Sequence, residues 1–532
     1  MRLGTALLIS FFVSVLLWRV DPNKTALATA EASQFQHPPR TVLTPPKRVT
    51  PIRVAMDQVP ATLNPRATLD AAGQRINALL FRALTQIDAD LKPQADLAKD
   101  WKVSADGRFW NFSLKLNVVD HSGAAITPQL ILVCLENYRG GQPTSPIRAN
   151  IPNWKATRLD AKNGSATLTI ELSQPDPYLD RNISSLRFFR VAGKPACTEP
   201  EAGDEIITSG AFRPDHWNSR PEKQLMLLAQ EPGALSLELI FVRDESTRLL
   251  KFLRGEIDVI QNGLSPTKSR WLVQNHGDRF RMIERDGVNV AYLSFNMKFP
   301  ELSRLEVRQA IALAIPRAEI VEHKLLGFGK VAGSLLSPLL AESHASGFDY
   351  DPAKAEALLE KAGFVRDKEG VRLRLTYKTT PVREGLEQAL IIQEALKKIG
   401  IAIRLDIVEP AVFLASVRKG AYQLYSSRWI GVADASILTS TLKTGARNNR
   451  AQVSDPELDR LLQMAESEPV LERRLPHLIR VQERMTETLP YFPLWYWNNA
   501  VIMRKEFEGL TSNDLSLSGG LKPLAKIYRK SP

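Results

Sequence analysis

The amino-acid sequence predicts an α/β protein of more than one domain, on three observations. The chain has 532 residues, too many for a single hydrophobic core. Strand and helix patterns alternate along it, most clearly between Val371 and Ile407. No repeat of fixed period appears, which argues against solenoids and propellers. Composition is that of a globular protein, with 44% hydrophobic and 24% charged residues.

At the N-terminus, the apolar run Leu3–Trp18 follows Met1-Arg2 and reads as the core of a signal peptide. Small-residue cleavage sites follow at Ala26–Ala28 and Ala28–Ala30. Arg19, Asp21 and Lys24 make the intervening gap long and charged, so residues 1–30 are either a cleaved signal peptide or an N-terminal membrane anchor. No Cys follows the run, which excludes a lipoprotein anchor. In both cases the body of the protein is exported. Residues 31–50, with Pro38, Pro39, Pro45 and Pro46, form an extended linker.

The stretch from Phe81 to Pro128 contains a helix end, a short turn and a strand with Trp110, Phe112, Leu114 and Leu116 at period two. A turn at Ser122-Gly123 and a helix start at Thr127-Pro128 close it. Leu168, Ile170 and Leu172 alternate in a further strand, so the region from Asp100 to Leu172 is strand-rich. Asp351-Pro352 caps a helix with Ala355, Leu358, Leu359 and Ala362 on one face, and Gly363 ends it. Val371, Leu373, Leu375 and Tyr377 then alternate as a strand. A helix from about Glu384 to Ile399 ends at Gly400, and Ile401, Ile403, Leu405 and Ile407 alternate again. Strand, helix and strand should pair in parallel through a right-handed crossover. A last helical block runs from Asp455-Pro456 to about Glu487, with breaks expected near Pro469 and Pro476.

Charge and chemistry narrow the function. The net charge is +12, yet Lys and Arg are scattered and no motif that reads DNA or RNA occurs. A basic surface near an anionic membrane accounts for the charge, and no nucleic-acid partner is expected. The seven histidines show no His-Glu-x-x-His spacing and the two cysteines make no metal cluster, so neither a metal nor another cofactor is expected. No Gly-x-Ser-x-Gly elbow is present. Gly327-Phe328-Gly329-Lys330 lacks the Walker spacing and reads as a turn. Ser265 and Lys268 fit Ser-x-x-Lys without its companion motifs, so catalysis is not expected. Cys134 and Cys197 either form one disulfide or are two small buried hydrophobes.

Several phrases then occur in a fixed order. Leu91, Pro93, Leu97, Ala98 and Trp101 fit "L-x-P-x-L-A-x-x-W" with two extra residues; Asp106, Gly107, Trp110, Phe112 and Leu114 fit "D-G-x-x-W-x-F-x-L". Gln58–Thr68, Ile207–Trp217, Leu253–Ile260, Ala291–Ile315, Phe348–Phe364 and Leu489–Tyr496 add further ones. Together they resemble the peptide/nickel family (family 5) of bacterial extracytoplasmic solute-binding proteins of ABC importers, which includes dipeptide- and oligopeptide-binding proteins. The resemblance implies a two-lobed periplasmic-binding-protein fold (type II, cluster C-like) with an extra domain inserted in lobe one. Mapped onto this chain, lobe one is residues 51–80, 200–289 and 499–532, the inserted domain 81–199, and lobe two 290–498. It also implies a monomeric periplasmic protein that captures a small peptide or similar solute and delivers it to an ABC permease. The alternative is a tethered or signalling protein for a non-peptide or cell-wall-derived ligand.

Peptide-binding members hold the ligand's α-amino group with an acid that follows a Trp. Here the matching stretch is Ser426–Leu438, where the third residue past Trp429 is Val432. Aligning on Ala-Asp chooses Asp434 instead, either as that acid or as a helix-capping residue. Trp429 is a candidate cleft residue, and Arg428 a candidate for a ligand carboxylate or for a salt link. Tyr292 and Asn296 stand at the expected crossing between lobes, as ligand contacts or as hinge residues. Arg308 and Gln309 are expected to serve packing and capping.

Overall fold

The structure is a computed structural model that describes residues 50–530 apart from Asn163. The expected leader or anchor, and the linker up to residue 49, lie outside the described residues. No helix among the described residues is long and apolar enough to cross a membrane.

One eleven-stranded sheet runs through the molecule. Its first half is built on Ile52–Met56, parallel to both Leu237–Phe241 and Val259–Gln261. Its second half holds Leu373–Thr379, parallel to Ile401–Ile407 and Leu424–Trp429. The helix between the first two of these strands spans Arg383–Lys398, and Gly400 takes a φ of +83° just after it. The strand–helix–strand unit expected from Val371 to Ile407 is therefore present and parallel. Asp351 caps the helix Pro352–Lys361 by accepting from Lys354 N, again as expected.

Two long antiparallel strands, Phe280–Phe295 and Tyr491–Arg504, belong to both halves. Phe280–Arg285 lies opposite Asn499–Arg504, which borders Val259–Gln261; Val290–Phe295 borders Leu424–Trp429. Their pairing shifts register between Arg285 and Asn289 and again between Ala291 and Tyr292. Such bulges bend a strand and loosen its ladder where the chain passes from one half to the other. Gly287 sits in the first bulge, where an added Cβ would lie 2.2 Å from the Trp497 carbonyl oxygen. A Gly287→Ala variant is expected to lose about 1–3 kcal/mol of stability, read as a lowered melting temperature.

Residues 81–199 carry a separate four-stranded sheet, Ala98–Val103, Phe109–Leu114, Ser165–Leu172 and Trp154–Lys162, with the helix Pro128–Gly140. Its apolar side chains, among them Phe112, Leu168 and Ile170, form one continuous core with Ile52 and Val54 of the first half. Cys134 and Cys197 are joined as a disulfide across this segment. A second core, with Ile311, Leu375, Tyr377 and Ile392, lies under the other half. The helix Leu471–Thr488 continues through Pro476, contrary to the expected break. The proline lies near its N-terminus and removes one N–H, while Leu478, Val481 and Met485 keep their buried face.

Candidate functional site

A cleft of about 2140 Å³ opens between the two halves of the molecule. That is about twice the upper end of ordinary small-molecule sites, so a drug-sized solute would leave room for water or a longer chain. One wall comes from residues near Arg75, Asp88, Arg181 and Lys522; the other comes from Val382–Glu387 and Arg428–Asp434.

Trp429 ends the strand Leu424–Trp429 and lines the cleft. Tyr292 lies behind it, fully buried, with the two rings stacked at 5.4 Å and 12°. The Arg450 guanidinium lies 4.9 Å from the centre of the Trp429 ring, so the indole is held by an aromatic ring and a cation before any ligand arrives. The Trp429 Nε1–H is buried and has no acceptor among the described residues. Burial pushes the Tyr292 phenol well above its ordinary range, which keeps it neutral.

Tyr292 thus supports Trp429 and does not itself line the cleft. Asn296 is also away from it: its Nδ2 donates to the Gly420 and Tyr422 carbonyls, both at 2.8 Å, and ties the strand to the following turn. Arg428 stands at the mouth, 46% exposed, and its Nη1 lies 3.7 Å from Glu384. Val432 is buried beside the cleft. Asp434 is 6% exposed and its Oδ1 accepts from Ser436 N at 3.0 Å, at the start of the helix Ser436–Leu442. Its Oδ2 lies 3.8 Å from Arg181 Nε. The carboxylate therefore serves the helix start and faces a cation of the other wall. Arg308 donates to the Leu489 and Thr488 carbonyls and closes the end of the helix Leu471–Thr488.

Four carboxyl groups gather on this side: Asp176, Asp180, Glu342 and Asp434, with Arg181 and Arg474 among them. Burial raises Asp180 and Glu342, and it pushes Asp176 up to about 6. Tyr178 projects from the same loop into a core shared with Leu458, Leu461 and Leu478 of the second half, with Arg474 5.0 Å from its ring centre. These residues carry no motif; the Pro-flanked Asp176 is the only local sign of an unusual loop.

The Asp176 shift has a testable sign. A carboxyl raised from 3.8 to about 6 holds its proton longer in the folded state, so its contribution to stability falls as pH rises between those values. An Asp176→Asn variant, which can still accept from Tyr178 N, is expected to melt higher than the parent at pH 7. The difference should vanish near pH 4; a lower melting temperature at pH 7 contradicts the burial account.

Comparison with known proteins agrees with this architecture. Residues 92–449 match the family described as bacterial extracellular solute-binding proteins, family 5 middle. The oligopeptide-binding protein OppA of Bacillus subtilis is 22% identical over 503 residues, 87% of this chain and 90% of that protein. The probable D,D-dipeptide-binding periplasmic protein DdpA of Escherichia coli is 26% identical over 523 residues, 92% of this chain and 96% of that protein. The crystal structure of NikZ from Campylobacter jejuni in complex with Ni(L-His) superposes with a TM-score of 0.75 at 21% identity. It covers 90% of this chain and 99% of that one, which makes the fold that of a two-lobed periplasmic binding protein. The chain belongs to the bacterial extracellular solute-binding proteins of family 5.

Proposed function

We propose that this protein captures a small peptide or similar solute between its lobes, outside the cytoplasmic membrane, and hands it to an ABC import permease. The observation that carries the reading is the cleft itself, lined by an indole already held in place and spanned at its base by two bulged strands. Closure of two walls about such strands is hinge motion, and it buries most of a ligand's surface. Lobe one is assigned to residues 51–80, 200–289 and 499–532, the inserted segment to 81–199, and lobe two to 290–498. The relatives named for oligopeptides and D,D-dipeptides support a peptide, while NikZ with Ni(L-His) keeps other small polar solutes in view.

Because Trp429 lines the cleft, its fluorescence is expected to change when a defined peptide pool is added to the purified protein. Trp429→Ala should diminish that change, Trp497 being a second indole in the lining, and weaken binding about tenfold to a hundredfold, the ordinary scale for a buried indole anchor. No spectral change and no added mass in native mass spectra with any pool would reject the peptide reading.

A further inference from the structure

Most cations facing the cleft already meet an anion. Lys268 pairs with Glu245, Lys324 and Arg383 with Glu387, Lys443 with Glu466, and Lys526 with Asp514. Arg75 and Arg248 donate to backbone carbonyls instead and Arg447 is exposed, whereas Arg187 and Lys522 differ from all of these. Both line the wall formed by the first half. Among the described residues neither has a carboxylate partner, and the only hydrogen bond of Lys522 Nζ goes to the neutral Oε1 of Gln86, at 2.8 Å. The nearest acids are committed elsewhere. Asp96 accepts from Arg82 Nη1 and Ala83 N; Asp88 accepts from Asp90 N, Lys92 N and Gln94 Nε2. Burial lowers the Arg187 guanidinium. Burial first, and then the charge of Arg187, pulls Lys522 down to about 8. Two half-buried cations on one wall, with Asp96 and Asp88 held by other donors, are left without a direct ion pair, and an incoming anion is the group that relieves them.

We propose that Arg187 and Lys522 form an oxyanion subsite that receives a carboxylate or phosphate of the bound solute. The inference rests on the solute-binding reading above and assigns the charge that the cleft selects. The opposite wall agrees: Val432 offers no charge, and Asp434 is held by Ser436 and Arg181. The Arg187–Lys522 corner therefore recognises a negative group of the solute, and neither Val432 nor Asp434 offers an α-ammonium group an uncommitted carboxylate. An oxyanion restores the Lys522 proton, so binding takes up a proton above about pH 8 and weakens as pH rises further.

The test uses the exported chain and the variants Arg187→Gln and Arg187→Gln/Lys522→Gln, whose folding is checked by their melting in chloride alone. Two arms are measured in all three proteins. In the first, inorganic phosphate is compared with chloride at matched ionic strength in thermal melts. In the second, tri-alanine, its C-terminal amide and its N-acetyl form are titrated by calorimetry. We expect phosphate to raise the melting temperature of the parent alone, or amidation to weaken binding about tenfold in the parent and not in the double variant. N-acetylation should matter less than amidation. A response to phosphate alone assigns a phosphate-bearing solute; discrimination in the peptide arm alone assigns a carboxylate. If no peptide binds, the peptide reading fails while the phosphate arm still decides the subsite. Absence of both responses, or responses equal in parent and double variant, overturns it.

Discussion

Replacing both members of the Cys134–Cys197 bond by alanine is expected to lower the free energy of unfolding by about 4 kcal/mol. The two residues are 63 apart in sequence, so the bond removes a large set of open conformations from the unfolded chain. Cys134 projects from the helix Pro128–Gly140 into the core, and Cys197 is fully buried; alanine there also takes the Sγ acceptor from the buried Phe189 N–H, which adds to the loss. The loss should not spread evenly. Arg66, 1% exposed, still ties the ends of this segment together through the Asn137, Pro143 and Cys197 carbonyls and Glu199. Hydrogen exchange should therefore rise most within residues 134–197, ahead of the large sheet. That stretch contains Arg181 and Arg187, so solute affinity should fall as well. Urea melts of the double variant, beside the parent with and without reductant, check the magnitude. A loss below about 1 kcal/mol would mean that the reduced unfolded chain stays compact there.

Local chemistry made parts of the fold legible. The alternation from Val371 to Ile407 and the Asp351 and Thr127 caps depend on neighbours in sequence, and each appears where it was expected. The long strands Phe280–Phe295 and Tyr491–Arg504 left no such mark. Both their faces are largely buried where they cross the molecule, so period-two alternation is lost. Trp429 could be found because it sits in a recognisable phrase. Tyr292 lies in a strand that belongs to both halves and Asn296 just beyond its end, yet neither lines the cleft, because which face of a strand meets it depends on register, which bulges reset. Arg181 and Arg187 lie more than 300 residues from Lys522 in sequence and share no motif with it. Only folding brings them to one cavity.

Tyr178→Ala is expected to weaken solute binding at least a hundredfold while changing the melting of the ligand-free protein far less. Tyr178 belongs to the segment 81–199, yet its ring shares a core with Leu458, Leu461 and Leu478 of the second half and lies 5.0 Å from the Arg474 guanidinium. Nearby, a Cβ on Gly107 would lie 3.2 Å from Pro469, so the two walls touch at this edge as well. A contact between the two walls is expected to part when the cleft opens, so it counts toward the closed state. Truncating a buried aromatic ring costs about 3–5 kcal/mol, and here that cost falls on the closed state. Since solute binds the closed state, affinity drops by the shift in the open–closed equilibrium. Tyr178→Phe keeps the ring and its cation partner and should retain affinity near the parent's. Titration calorimetry of the three proteins with one bound peptide separates the outcomes. Equal affinities for Tyr178→Ala and the parent would place the ring outside the closure contact. A matching fall in melting temperature without ligand would make it a permanent part of the core.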